Sequence, residues 1–120
     1  MKINSRVIDG VGIVYVSGNI VLEETNQLKA YMEPLTGKPD IKGLIVNCKK
    51  IDYIDSSGLG LIVSIYKKLK ELNKFFALTS LNSKTMEIFV LTRLHETLII
   101  ADTDDSAMAS FKIRDTSKSE

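Results

Sequence analysis

Asp55-Ser56-Ser57-Gly58-Leu59-Gly60 puts two hydroxyls directly behind a carboxylate and just ahead of two glycines. Residues of these types can do structural or chemical work. The Asp55 carboxylate or the Ser56 hydroxyl can accept from a free amide of a first helical turn, so the stretch can be a helix cap in which Gly58 and Gly60 only permit a tight junction. A hydroxyl can also be a nucleophile if a base takes its proton, or an acceptor of phosphate from another protein. A phosphate on Ser56 or Ser57 adds about −1.5 to −2 charges beside Asp55 and Asp52. At a helix start it faces the positive end of the dipole, so the fold tolerates it. A partner docked over it does not, because an unpaired charge buried in an interface costs about 2–5 kcal/mol. At ~1.4 kcal/mol per decade that is roughly 30- to several-thousand-fold in affinity.

Catalysis finds little support elsewhere in the chain. A nucleophile elbow requires G-x-S-x-G with a histidine and an acid; the residues around Ser56 do not follow that pattern, and the single histidine, His95, falls after a helix, where a surface position is expected. A phosphate-binding loop requires G-x-x-x-x-G-K-[ST], whereas Gly37-Lys38 runs into Pro39. Asp52 and Asp55 lack a third acidic or histidine ligand nearby for a metal. Cys48 lies in an apolar run and is expected to be a small buried hydrophobe. No metal, no cofactor and no enzymatic activity are expected.

The motif must be held by the elements around it. Val7 and Ile8, the Asp9-Gly10 turn and the β-branched Val11 to Val16, bounded by Gly18, read as a hairpin. Leu28, Met32 and Leu35 recur at helical spacing from Leu22 to about Leu35, with Glu23 and Glu24 at the favourable end, and Thr36-Gly37-Lys38-Pro39 breaks the helix. Gly43 to Cys48 is a continuous apolar strand, followed by a turn through Lys49 to Tyr53 and then the motif. Leu61, Ile62, Ile65, Leu69 and Leu72 form one helical stripe, with Lys67, Lys68, Lys70, Glu71 and Lys74 on the other face. Phe75 to Leu78 is the next strand. Ser83 caps a helix that turns Met86, Phe89, Val90 and Leu94 inward, Leu98-Ile99-Ile100 is a strand, and Asp102 or Thr103 starts a last helix through Met108 and Phe111. Residues 112–120 have little to bury and are expected to form a flexible tail. Strands alternating with helices predict an α/β domain over residues 1–111: a mainly parallel central sheet entered by a hairpin, with about four helices. The motif then lies at the C-terminal edge of the sheet, where open α/β folds place their sites.

The totals fit a single domain of 120 residues with 44% hydrophobic and 26% charged residues. A net charge of +1 gives no electrostatic footprint for direct nucleic-acid binding. One cysteine suits a reducing compartment. No apolar run reaches the roughly 18 residues of a membrane span, so a cytoplasmic protein without membrane contact is expected. The lysine-rich helix face argues for a monomer when free.

Tyr53 to Gly60, followed by the Tyr66-Lys67 helix, resembles the phosphorylation motif of the STAS-domain family, and within it of the bacterial anti-sigma-factor antagonists. Val14 to Gly18 is similar to that family's second strand. Met86 to Phe89, Leu91 to Leu94 and Ile99 to Asp102 resemble its third helix, following loop and final strand. The resemblance covers about residues 5–111. It implies a partner-switching regulator of transcription. Unphosphorylated, such an antagonist binds an anti-sigma factor that is also a serine protein kinase, and so frees a sigma factor; the kinase then phosphorylates it from ATP, and a PP2C-type phosphatase restores it. Carried over, Ser56 is the phosphoacceptor and Asp55, Ser57, Gly58 and Leu59 belong to the docking loop, with Ser64, Lys67 and Lys68 extending the interface along the next helix. The family's usual Gly-x-Leu-Asp is here Gly18-Asn19-Ile20-Val21, so the acidic side chain is missing at position 21, and Glu23 and Glu24 follow a turn later. The same fold can alternatively serve as an unphosphorylated scaffold. A two-component receiver is disfavoured by the opening hairpin and by the lack of an acidic pair at the end of the first strand and of a late lysine; acid-labile phosphate on Asp55 would revive it.

Overall fold

A computed structural model describes the backbone of residues 1–118 and the side chains of residues 1–113. The chain runs β1 (Lys2–Ile8), β2 (Val11–Ile20), α1 (Leu22–Gly37), β3 (Gly43–Ile54), α2 (Ser56–Glu71), β4 (Phe75–Thr79), α3 (Ser83–Leu91), a 3₁₀ turn (Leu94–Glu96), β5 (Ile99–Ala101) and α4 (Asp104–Lys118). The five strands lie in sequential order; β1 is antiparallel to β2, and β2 to β5 are parallel. Asp9 and Gly10 both have positive φ, 51° and 79°, as a two-residue hairpin turn demands. The expected α/β fold with its N-terminal hairpin is therefore the observed one.

The two faces of the sheet are covered unequally. Val14, Val16, Ile20, Leu44, Val46, Cys48, Ile51 and Ile54 pack with Leu28, Met32, Ile62, Leu69 and Phe89 of α1, α2 and α3. On the opposite face Val11, Ile13, Ile45 and Ala77 meet Ala107 and Phe111 of α4, where the Phe75 and Phe111 rings stack at 5.0 Å. Thr103 caps α4 by accepting from the Ser106 amide, which settles the start between the two expected positions.

Several boundaries differ from expectation. The turn predicted over Lys49 to Tyr53 is strand: β3 continues to Ile54 because β2 also continues, through Gly18 to Ile20, and pairs with it across two register shifts. Helix α1 persists through Pro34 to Gly37; the Lys74 ammonium donates to the carbonyls of Thr36 and Lys38 at 2.6 and 2.9 Å, satisfying the helix end. Asn82, not Ser83, caps α3, its Oδ1 accepting from the Thr85 amide at 2.8 Å while its Nδ2 donates to the Ile51 carbonyl. Leu72 and Val90 are exposed rather than inward, the first because α2 ends at Glu71, the second because Thr85 and Phe89 carry the buried side of α3. The last helix continues past Phe111 to Lys118; the end of the expected tail, Ser119 and Glu120, lies outside the described residues.

Candidate functional site

Strand β3 passes into α2 through one extended residue, Asp55. Its amide donates to the Ile20 carbonyl at 3.2 Å, joining the junction to the end of β2. Its carboxylate serves two helices at once: Oδ1 accepts from the Gly58 amide at 2.9 Å and Oδ2 from the Leu22 amide at 3.1 Å. The second bond matters because Val21, at the start of α1, has no side chain able to cap it. Asp55 therefore does the capping that position 21 omits, and both of its oxygens are engaged by amides.

Ser56 is the first residue of α2. Its side chain is exposed and makes no hydrogen bond among the described residues. The first intrahelical bond is Leu59 N to Asp55 O, so the amides of Ser56 and Ser57 are among the donors that α2 leaves free. A phosphate on Ser56 would stand at this end of the dipole. Ser57 and Leu59 are half-buried, Leu59 against the core. Gly58 is buried, and a Cβ there would lie 2.3 Å from the Ile20 carbonyl oxygen and 2.9 Å from Ile54 Cγ2. Its part is to let α2 approach the end of β2 closely; it presents no surface. Gly60 has open space around its Cβ position. Farther along, Ser64, Lys67 and Lys68 are exposed and, with Gly60, Val63 and Glu71, line a shallow depression of about 400 Å³. The structure thus brings Asp55, Ser56, Ser57 and Leu59 together, and sets Ser64, Lys67 and Lys68 apart on the next turns of the same helix.

Two surface residues beside the motif escape sequence reasoning. Leu22 is 63% exposed although it is a large aliphatic, and Tyr53 is 42% exposed with the Lys84 ammonium 5.8 Å from its ring centroid. Nothing in the periodicity marks either residue: Ile51 and Ile54 are both buried on one side, so the end of β3 keeps no alternation that would set Tyr53 outside. Glu23 and Glu24 follow Leu22 in the first turn of α1.

Other candidate groups are accounted for without chemistry. Cys48 is buried, which pushes its thiol from 9.0 up to about 12, and it donates weakly to the Val46 carbonyl. His95 is exposed in the 3₁₀ turn, with Nδ1 3.2 Å from the Phe89 carbonyl. Among the described residues no three His, Cys, Asp or Glu side chains gather as a metal site would require, and no helix is long and apolar enough to cross a membrane.

A family model described as the STAS domain matches residues 2–107. The anti-sigma-B factor antagonist of Listeria monocytogenes is 26% identical over 104 residues, covering 87% of this chain and 90% of that one. A Thermotoga maritima protein assigned as an anti-sigma factor antagonist superposes with a TM-score of 0.85 at 28% identity, covering 90% of this chain and 92% of the other. SpoIIAA of Bacillus, solved in unphosphorylated and phosphorylated forms, shares the fold with a TM-score of 0.71 at 16% identity in each form; the coverage is 94% and 92% of this chain, and 98% and 99% of those chains.

Proposed function

Because the chain belongs to the STAS domain family, we propose that it is an anti-sigma-factor antagonist that regulates transcription through a sigma factor by switching partners at Ser56. One observation supports this most: Ser56 presents a free, exposed hydroxyl at the first position of α2, in a loop that Asp55 immobilises. Unphosphorylated, the motif and the neighbouring Leu22 and Tyr53 form a docking surface for an anti-sigma factor that is also a serine kinase. Ser57, Leu59, Ser64, Lys67 and Lys68 extend that surface, with Gly58 shaping it from beneath. Transfer of phosphate from ATP to Ser56 Oγ leaves a dianionic ester beside Asp52, Asp55, Glu23 and Glu24, and the complex separates; a PP2C-type phosphatase reverses the modification. The protein is a substrate in this cycle and hydrolyses nothing. It works as a cytoplasmic monomer when free.

Titration of a serine-kinase anti-sigma factor with wild type, Ser56→Ala and Ser56→Asp tests this reading. Ser56→Ala is expected to bind like the unmodified protein, and Ser56→Asp at least roughly tenfold more weakly, since aspartate carries less charge than phosphate. Equal affinity of the two variants would remove the switch and leave an unphosphorylated scaffold.

A further inference from the structure

On the face of the sheet opposite α1, α2 and α3, helix α4 covers only one end. The other end, over β1, β2 and β3, is an open concave surface of about 700 Å³ lined by Lys2, Asn4, Arg6, Tyr15, Ser17, Asn47, Lys49 and Lys50, with the edge of Val16. Four cations therefore stand on β1 and β3, on either side of β2, and no carboxylate is among the lining residues. Among the described residues none of the four makes an ion pair. Asp104, at the margin, is already held by Asn47 and Thr79.

The backbone is shaped to produce this. In β3 the side chains alternate until Cys48, which packs toward the helices, and Ile51 packs toward them as well. Between them Lys49 and Lys50 are both exposed and both line the open face, because Tyr15 pairs with Asn47 but Ser17 pairs with Lys50. This bulge adds one residue to β3 and turns a second lysine to the side where the first already points. A regular strand would have pointed Lys50 into the core. Arg6 is held in place by donating from Nε to the Tyr15 hydroxyl at 2.9 Å, with its guanidinium 5.9 Å from the ring centroid.

We propose that this face is a second protein-docking surface, which takes an acidic extended segment of a partner. The cations lie in a shallow strip across strands, with the side-chain amide of Asn4 and the Ser17 hydroxyl between them to bind backbone. β1 is the sheet's edge strand, so its outer side is open to an added chain. Strip and edge together suit a peptide better than a compact anion, which would need converging amides. The surface lies on the other side of the sheet from α2 and so acts independently of Ser56.

Fluorescence anisotropy of a labelled oligo-glutamate peptide tests this on the full-length protein. Lys49→Ser/Lys50→Ser is expected to weaken binding roughly 3- to 30-fold. Lys29→Ser/Lys70→Ser, two exposed cations on α1 and α2, takes the formal net charge from +1 to the same −1 and is expected to change affinity less than about twofold. Ser56→Asp should bind the peptide like wild type, and bound peptide should shift the amide resonances of Tyr15, Ser17 and Asn47. An absence of binding by wild type, equal losses in the two lysine pairs, a loss in Ser56→Asp, or tighter binding of a single-stranded oligonucleotide to the same residues would each overturn the proposal.

Discussion

Asp55 holds the junction with a single carboxylate shared between two helices, and the Ser56 hydroxyl beside it contributes no bond among the described residues. Removing the two roles should therefore have opposite profiles. Asp55→Ala leaves the Leu22 and Gly58 amides without their partner. At ~0.5–2 kcal/mol for a lost cap, it is expected to destabilise the fold by about 1–3 kcal/mol, read from the midpoint of urea unfolding. Ser56→Ala should shift that midpoint by less than about 0.5 kcal/mol, as an exposed substitution without a partner does. A large loss in Ser56→Ala would return the hydroxyl to the role of a cap. The sequence left Asp55 and Ser56 equally able to cap, because both residue types accept from a first-turn amide. Only the extended backbone of Asp55 assigns the cap to it, and its reach to Leu22 depends on α1 lying alongside, which local sequence does not encode.

The elements meeting at the motif give its two glycines different burdens. Helix α2 approaches the end of β2 so closely at Gly58 that a methyl group would collide with the Ile20 carbonyl, whereas at Gly60 a methyl group meets nothing. Gly58→Ala is thus expected to cost at least about 1–3 kcal/mol through forced separation of α2 from the sheet. Gly60→Ala is expected to stabilise by roughly 0.5–1 kcal/mol, because alanine is the better helix former. Paired chemical denaturation curves check both; equal effects would mean that the packing at Ile20 does not set the helix position. In sequence the two glycines look alike. The element read least well was β3, and the reason is physical: its second half, Lys49 to Ile54, follows neither the apolar run of a strand covered on both faces nor strict alternation. A bulge shifts the period in the middle, and the strand exists there only because β2 runs on through Gly18 to pair with it. The apolar stripe of α2 from Leu61 to Leu69, the apolar part of β2 from Val11 to Val16 and the short run of β4 were legible because each keeps one pattern over that length.

Taken as a whole, the molecule has one continuous sheet whose main core lies beneath α1, α2 and α3, and Ser56 stands outside that core at the sheet's C-terminal edge. A phosphate there disturbs no buried contact, and the helix dipole offsets part of its charge by about 0.3–1 kcal/mol. The switch proposed for this protein therefore works by changing what a partner meets, with no second conformation of the domain to populate. This can be checked on the protein alone. In Ser56→Asp, amide shifts are expected to be confined to residues around the junction, namely Leu22, Ser57, Gly58 and Leu59. Exchange protection of the central strand residues Leu44, Ile45 and Val46 should match wild type, since those amides open only with the whole domain. Shifts spreading across β3 and β4, or lost protection at Leu44 to Val46, would instead mean that the charge is transmitted through the sheet. Modification would then also alter the lysine-lined face on the far side, and the two surfaces could not be addressed separately.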